Sequence, residues 1–419
     1  MAINKYLEDE FKDEIIKVID SNNLNILIGA GFSANILNTL GNLELIMEII
    51  KKEPHDKKYL ALEALLYWKF FEDTIYPMAD KINNENLSEH SKFLEILKNI
   101  LSERENTILQ KQVNIFTTNY DVILEYALES KFIEYNDGFQ GSINPYYSTA
   151  NYNKIYYKQA LFTNRRSEIA IFNVYKIHGS INWKENDIYD DKFIYGSYIT
   201  ELNNFYNENN KIIYNEEMIV NESIEKLYEK ITTCKWENIK KEFIDNILEE
   251  LEVDDNQLKN IYIPFKEVYK KSFKIVSPTK EKFSDTLVDK NYYELLRIYC
   301  NELERENAML LVFGFSFYDE HIEDITKRAL NNPSLILIII CYSKSDKERF
   351  SKKFEINSNV WIVGLKEWEC KIDAFEKIEI VTEVAVEIDE SESKVNNSDA
   401  KIGLEVINKF LMSVSREVL

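Results

Sequence analysis

Only four histidines occur in the 419 residues: His55, His90, His178 and His321. His178 stands in the stretch KIHGSINW, at the end of an apolar run and directly before a glycine. An imidazole, with a pKa of about 6.5, can take up a proton near neutrality, and Gly179 leaves open space beside the ring. The same side chain can equally serve as a cap or a core residue. Three other turns carry residue types that could act with it. Gly29-Ala30-Gly31-Phe32-Ser33-Ala34 follows the apolar run LNILI and fits G-x-G-x-x-A. Glycines there allow a backbone to approach a pyrophosphate, and a helix starting behind them offers free N–H groups. Without a ligand, the same residues make a tight strand-to-helix turn. Thr117-Thr118-Asn119-Tyr120-Asp121 follows QVNIF. Thr118 and Asp121 have capping-box spacing, which leaves Asn119 unexplained; at a strand end it can bond a ribose hydroxyl or hold a water. Gly314-Phe315-Ser316-Phe317-Tyr318-Asp319-Glu320-His321 follows NAMLLVF. Ser316 and Asp319 form a second capping box, or Gly314 and Ser316 present backbone and hydroxyl to a ribose or phosphate. His321 falls in a first helical turn, where the dipole disfavours a charged ring, so it is expected to be neutral and structural.

The elements behind these turns are continuous apolar runs separated by helical patterns. That arrangement predicts an α/β fold, a Rossmann-like parallel sheet with helices on both faces and largely helical insertions. In such sheets ligands sit at the carboxyl ends of the strands, where all four turns lie. Residues 5–20 read as an amphipathic helix. Residues 43–110 and 185–272 read as helical insertions, FKIVSP as a resumed strand pattern, and SLILIIICY and NVWIVG as buried strands. One domain is expected over 1–382, then an acidic Ser/Asn-rich linker at 383–400. A C-terminal helix is expected at 401–419, one that could dock on a partner or a second copy.

Composition removes several classes. The net charge of −21 argues against direct nucleic-acid binding, which depends on Lys and Arg neutralising phosphates. The four cysteines form no Cys-x-x-Cys pair, so neither a zinc ribbon nor a disulfide framework is expected, and no metal-ligating residues are assigned. The first residues lack a signal-peptide apolar region, and LILIIIC at 335–341 is too short to span a bilayer. A cytoplasmic protein with no membrane partner is the expectation. A dehydrogenase would want an acid about 20 residues past the glycine turn, at the end of a second strand. Glu48 is near that spacing, but it lies in the helical pattern LELIMEII.

Taken in order, Gly29-Ala30-Gly31-Phe32-Ser33, Thr117-Thr118-Asn119-Tyr120-Asp121, His178-Gly179 and Gly314-Phe315-Ser316 resemble the sirtuin-like superfamily over roughly residues 20–365. The form Gly-Phe-Ser-Phe-Tyr-Asp-Glu-His-Ile is especially similar to bacterial sirtuin-like anti-phage proteins, which hydrolyse NAD and starve the infected cell. The resemblance implies that Gly29, Ala30, Gly31 and Ser33 cradle the NAD phosphates and adjacent ribose. Phe32, Thr118 and Phe315 belong to the same binding turns. Asn119 would contact the nicotinamide ribose and the attacking water, Asp121 the nicotinamide amide, and Gly314 and Ser316 the adenosine side. His178 would be the general base. Deacylating sirtuins carry paired Cys-x-x-Cys motifs and a Gly-Ile-Pro-Asp-Phe-Arg segment; this chain has no such pair and reads Asn35-Ile36-Leu37-Asn38-Thr39-Leu40-Gly41 instead. The resemblance therefore implies a zinc-free NAD+ glycohydrolase with NAD+ as substrate and no cofactor. Such an enzyme would be gated by assembly, as a homo-oligomer or beside a HerA-type ATPase. The alternative is a non-catalytic module that senses NAD or ADP-ribose and regulates a partner ATPase.

Overall fold

The structure is a computed structural model that describes residues 1–37, 43–53, 55–104, 108–185, 193–213, 228–231, 234, 239–249, 258–275, 290–368 and 400–415. Its centre is an eight-stranded sheet. In chain order the strands are β1 (Ile3–Tyr6), β2 (Asn23–Ile28), β3 (Gln112–Thr117), β4 (Tyr135–Asn136), β5 (Ile171–Lys176), β6 (Ala308–Phe313), β7 (Ile336–Ile340) and β8 (Val360–Gly364). They lie in the order β1-β8-β7-β6-β2-β3-β5-β4, and every neighbouring pair runs parallel. β5 and β6 are buried at every position, as unbroken apolar runs predict for a sheet covered on both faces. The fold is Rossmann-like α/β.

Three asparagines interrupt the central strands at one level. Asn25, Asn114 and Asn173 are paired across β2, β3 and β5. Asn114 donates to Asn25 Oδ1 at 2.9 Å, and Asn173 donates to Asn114 Oδ1 at 3.0 Å. Asn25 also donates to the Met309 carbonyl of β6 at 3.2 Å. Slipping any strand by one residue would strand buried amides, which typically costs about 1–3 kcal/mol each. The ladder therefore fixes the register that places the turns beyond it.

The chain leaves β2 towards β3 on one side and leaves β6 towards β7 on the other. Chain direction across the sheet thus reverses between β2 and β6, which puts the ligand crevice of such folds at their carboxyl ends.

Among the described residues the longer helices are α1 (Asp9–Ser21), α2 (Leu43–Lys51), α3 (Lys57–Phe70), α4 (Ser88–Glu103), α5 (Ile123–Ser130), α6 (Tyr198–Ile213), α7 (Lys241–Glu249), α8 (Ile263–Ser272), α9 (Lys290–Glu304), α10 (Glu320–Ala329), α11 (Lys344–Lys353) and α12 (Leu404–Val414). The described parts of the two expected insertions share one core. α3 is buried nearly all round, as an apolar helix inside a larger body must be. Its Trp68 packs against Tyr206 of α6 and Phe265 of α8 at ring separations of 6.0 and 5.9 Å. Tyr67 meets Tyr269 at 4.7 Å. Next to α3, Phe71 meets Phe205 at 4.6 Å and Phe273 at 5.7 Å. Segments far apart in sequence thus form a single aromatic cap. Within 43–110, α4 packs instead on α5 and α12.

Several expectations need correction. Residues 3–6 are an edge strand and the first helix starts at Asp9; INKY is too short and too polar to announce a strand. Of FKIVSP, residues 273–275 are described, and Lys274–Ile275 is a two-residue strand that pairs antiparallel with Gly179–Ser180 outside the central sheet. The C-terminal helix forms and is docked within its own chain. α12 packs on α1 and α4 of its own chain, with Phe410 stacked on Phe11 at 5.5 Å and Asn408 donating to Glu89 Oε2 at 2.8 Å. The expected linker at 383–400 lies almost wholly outside the described residues. Phe139–Gln140, Tyr146–Tyr147, Trp183–Glu185 and Phe193–Tyr195 form an antiparallel sheet, whose strands of two or three residues are too short to show an alternating pattern. Among the described residues, no helix is long and apolar enough to cross a membrane.

Candidate functional site

The glycine turn and the Gly314 turn interlock. Gly31 donates its N–H to the Gly314 carbonyl at 2.9 Å. A Cβ on Gly31 would stand 2.5 Å from the Gly314 Cα, and one on Gly314 would stand 2.7 Å from the Phe32 nitrogen. Gly314 also has φ +63°, a region that side chains rarely adopt. These glycines are needed because two backbones touch at the mouth of the crevice.

Behind Gly29 the chain makes a 3-10 turn, Ala30–Phe32, rather than the α-helix start expected. The N–H groups of Gly31, Phe32 and Ser33 bond to Gly314, Gly29 and Ala30 carbonyls. The helix-terminus cradle anticipated from the sequence is therefore not presented by these three groups. Glu48 lies in α2 and not at a strand end, so it does not stand where the dehydrogenase arrangement would want its acid.

Neither expected capping box forms. Val122 is the N-cap of α5 and Asp319 the N-cap of α10, and neither makes a side-chain cap bond. Asp121 acts differently: its Oδ1 accepts from the Ile123 N–H at 3.0 Å, and its Oδ2 accepts from the Ser33 hydroxyl at 2.7 Å. Asn119 donates from Nδ2 to the Gly29 carbonyl at 3.0 Å and to Ser33 Oγ at 3.1 Å. A relay Asn119→Ser33→Asp121 results, and Asn119, Ser33 and Asp121 are all buried. The Asn119 amide thus has both N–H donors committed and its Oδ1 left as the acceptor. Thr118 donates its backbone N–H towards the Ile28 carbonyl at 3.4 Å. Thr117, one residue earlier, accepts the Asn119 N–H at 3.0 Å.

β3 and β5 are in register with Thr117 opposite Lys176. Asn119 and His178 each stand two residues past that pair, so neighbouring strands deliver them to one level. The two turns are stitched by Ile177 N–H to Thr117 O at 2.9 Å and Ile181 N–H to Tyr120 O at 3.0 Å. Below them, Lys176 forms a buried ion pair with Glu125 at 2.9 Å and also donates to the Asp121 carbonyl. Burial pushes the Glu125 carboxyl up, against the pull of Lys176. His178 is 4% exposed, and Gly179 beside it has φ +80°.

Phe315 is buried and meets Phe317 edge-on. Phe317 sits at φ +55°. The Ser316 carbonyl accepts from Arg349 at 3.0 Å and the Phe317 carbonyl from Lys353 at 3.0 Å, so α11 anchors the turn. Ala30 and Gly31 are exposed at the crevice mouth, whereas Phe32 is buried against His90. His90 bonds the Phe32 carbonyl through Nε2 at 2.7 Å, and burial holds its pKa below the ordinary value.

Sequence reasoning left Asp319 and His321 outside the site. The structure brings them in: His178, Asp319 and His321 each offer an atom within 4.8 Å of the others, and the two imidazole centroids are 5.8 Å apart. The Asp-x-His spacing was the available signal, but its partner lies over 140 positions earlier. Lys176 and Glu125 were missed too, because nothing local marks a buried pair.

Residues 113–227 match the SIR2-like domain family. The match runs from β3 and includes Asn119, Asp121 and His178, while the Gly29 and Gly314 turns lie outside it. No curated protein matches the chain in sequence. A SIR2-like domain fits NAD-dependent activity in general, and the match, together with the parallel sheet and its reversal point, supports a sirtuin-like family for this chain.

Proposed function

We propose that the chain is an NAD+ glycohydrolase that cleaves the nicotinamide N-glycosidic bond, giving nicotinamide and ADP-ribose. The observation that carries this reading is the pairing of Asn119 and His178 at one level of adjacent strand ends, with the Asn119 amide held in one orientation. Nicotinamide leaves as a neutral pyridine, so the leaving group needs no proton. The reacting carbon passes through an oxocarbenium-like state, as in glycoside hydrolysis. Water forms the new C–O bond as the C–N bond breaks, and its proton passes to His178 directly or through a ribose hydroxyl. Asn119 Oδ1 orients that water or hydroxyl, and the surrounding turns fix the positions in advance. NAD+ is the substrate in this scheme, and no resident cofactor or zinc is invoked.

Uncontrolled NAD+ hydrolysis would kill the host, so activity would be gated. Two contacts support the aromatic cap as the gate. Phe70 of α3 packs edge-on against Tyr120 at 5.6 Å. Lys274–Ile275, directly after α8, pairs with Gly179–Ser180 beside His178. Assembly as a homo-oligomer or with a HerA-type ATPase would act through this cap, in a cytoplasmic defence that depletes NAD+ in phage-infected cells.

The test is nicotinamide release from NAD+ by the purified protein with its partner and trigger. His178→Ala and Asn119→Ala should each remove nearly all of it, since a positioned base typically contributes about 10²–10⁴-fold. Full activity in both variants would overturn the assignment. A second reading, a module that senses NAD or ADP-ribose, draws support from the internally satisfied N–H groups of Gly31, Phe32 and Ser33. Tight NAD+ binding without nicotinamide release under activating conditions would favour it.

A further inference from the structure

We infer that His178, Asp319 and His321 form a binding site for one first-row divalent cation of the zinc class. Their ligand atoms lie within 4.8 Å of one another. An ion at the centre of such a triangle is no more than about 2.8 Å from each atom, so an inward shift of about 0.7 Å brings all three to the usual 2.0–2.2 Å. Rotation of side chains on two different turns supplies that shift. Two imidazole nitrogens and one carboxylate oxygen are borderline ligands, suited to Zn2+, Co2+, Ni2+ or Fe2+ rather than to Mg2+ or Ca2+. The position of the set matters as well. Asp319 occupies the N-cap position of α10 and His321 is the second residue of that helix, so both lie at the end of the turn that follows β6, beside the crevice. The α10 N-terminus would repel a cation; the Asp319 carboxylate, with Glu320 in the same first turn, offsets that. Three protein ligands leave at least one coordination position for water.

The consequence, which rests on the glycohydrolase reading, is inhibition. A metal on His178 occupies the nitrogen lone pair that would accept the proton. Metal release would then belong to activation of the enzyme.

Co2+ is the probe. The full-length protein should bind one equivalent with a visible ligand-field band, and Zn2+ should displace it. His321→Ala and Asp319→Ala should each weaken Co2+ binding by about 100-fold or more, since even outer partners of a metal ligand are worth about 10–100-fold. His55→Ala should leave it unchanged, because His55 is exposed and outside the cluster. A measurement on the unmutated protein guards against misfolded variants: the Co2+ form should show shifted ring N–H resonances from two imidazoles. Unaltered binding in His321→Ala, no band at millimolar Co2+, or resonances from fewer than two rings would overturn the site. Zn2+ should also suppress nicotinamide release. If Co2+ binds as described but nicotinamide is never released, the metal site stands and the glycohydrolase reading falls.

Discussion

Asn119 and His178 stand at the same level of neighbouring strands, yet they are held in different ways. The Asn119 side chain is held by the first turns of the sheet: Gly29, Ser33 and Asp121 take up the amide and its relay. The His178 side depends on segments that the sheet does not supply. The strand Lys274–Ile275 pairs with the residues after it, and Asp319 and His321 flank the ring. A fixed half and a dependent half are what the proposed gating of NAD+ hydrolysis would require. On the proposed reading, substrate positioning would be permanent, while the proton acceptor would answer to the cap and to the start of α10.

If the Asn119 half is hard-wired, damage to its glycines should be global. Gly314→Ala should be the most damaging change considered. The added Cβ meets backbone at 2.7–3.0 Å on three atoms and sits at φ +63°. Left-handed backbone costs about 1–2 kcal/mol, and overpacking against atoms that cannot yield adds about 1–3 kcal/mol. Urea unfolding should show a loss of about 3–4 kcal/mol, or no folded protein at all. A loss under 1 kcal/mol would mean that the two turns are loosely apposed and the fixed half is not fixed.

The dependent half should show local damage. Phe273 is buried against Phe71, Phe205 and Tyr269 and directly precedes Lys274. Phe273→Ala should cost about 3 kcal/mol, concentrated in the cap. Hydrogen exchange should lose protection in α3 and α8 and around Gly179, while β2, β3 and β6 keep theirs. Uniform loss across the sheet would show that cap and sheet are one cooperative unit and would dissolve the comparison.

This division also explains what the sequence could show. Parallel strands that are buried on both faces must be continuous apolar runs, so NLNILI, IFNVYK and AMLLVF were readable, and so were the turns at their ends. β1 was not, because an exposed edge strand has no such requirement. The helical cap was legible as helices but not as a unit. Nothing in α3 says that Trp68 will meet Phe265, nearly 200 positions away. The capping boxes misled for a related reason. Asp121 had the right spacing to cap α5, but Ser33, brought in by a different strand, claimed one of its oxygens. His321 looked structural because its neighbours in sequence are helical; its neighbour in space is His178.

Within the fixed half, Ser33 accepts from Asn119 and donates to Asp121. Ser33→Ala removes the link without adding bulk. The Asn119 amide then loses one of its two anchors, and nicotinamide release should fall on the order of 10²-fold, the usual result of a small misplacement near a reacting group. Stability should drop by only about 1 kcal/mol. Unchanged turnover would show that the Gly29 carbonyl alone orients the amide.

The smallest effect is expected at Asp137, just past β4. Its Oδ1 accepts from the Phe139 N–H at 3.0 Å. Burial, and the Glu125 charge to a lesser extent, push its carboxyl up from 3.8 to about 7. In the unfolded chain this group loses its proton near 3.8, whereas the folded chain keeps it until about 7. Between those values the folded state binds more protons, so stability falls as pH rises, and above about 7 the deficit is fully present. Asp137→Asn keeps an acceptor for Phe139 but cannot ionise. The melting temperature should therefore rise by about 2–4 °C at pH 8, with the gain shrinking as pH falls and gone near pH 4. Because Asp137 neighbours Glu125 and not the cap, the added protection from hydrogen exchange should appear around β4 and α5. A gain independent of pH would show that the carboxyl titrates normally, and a gain spread into α3 and α8 would tie the two halves more closely than their contacts suggest.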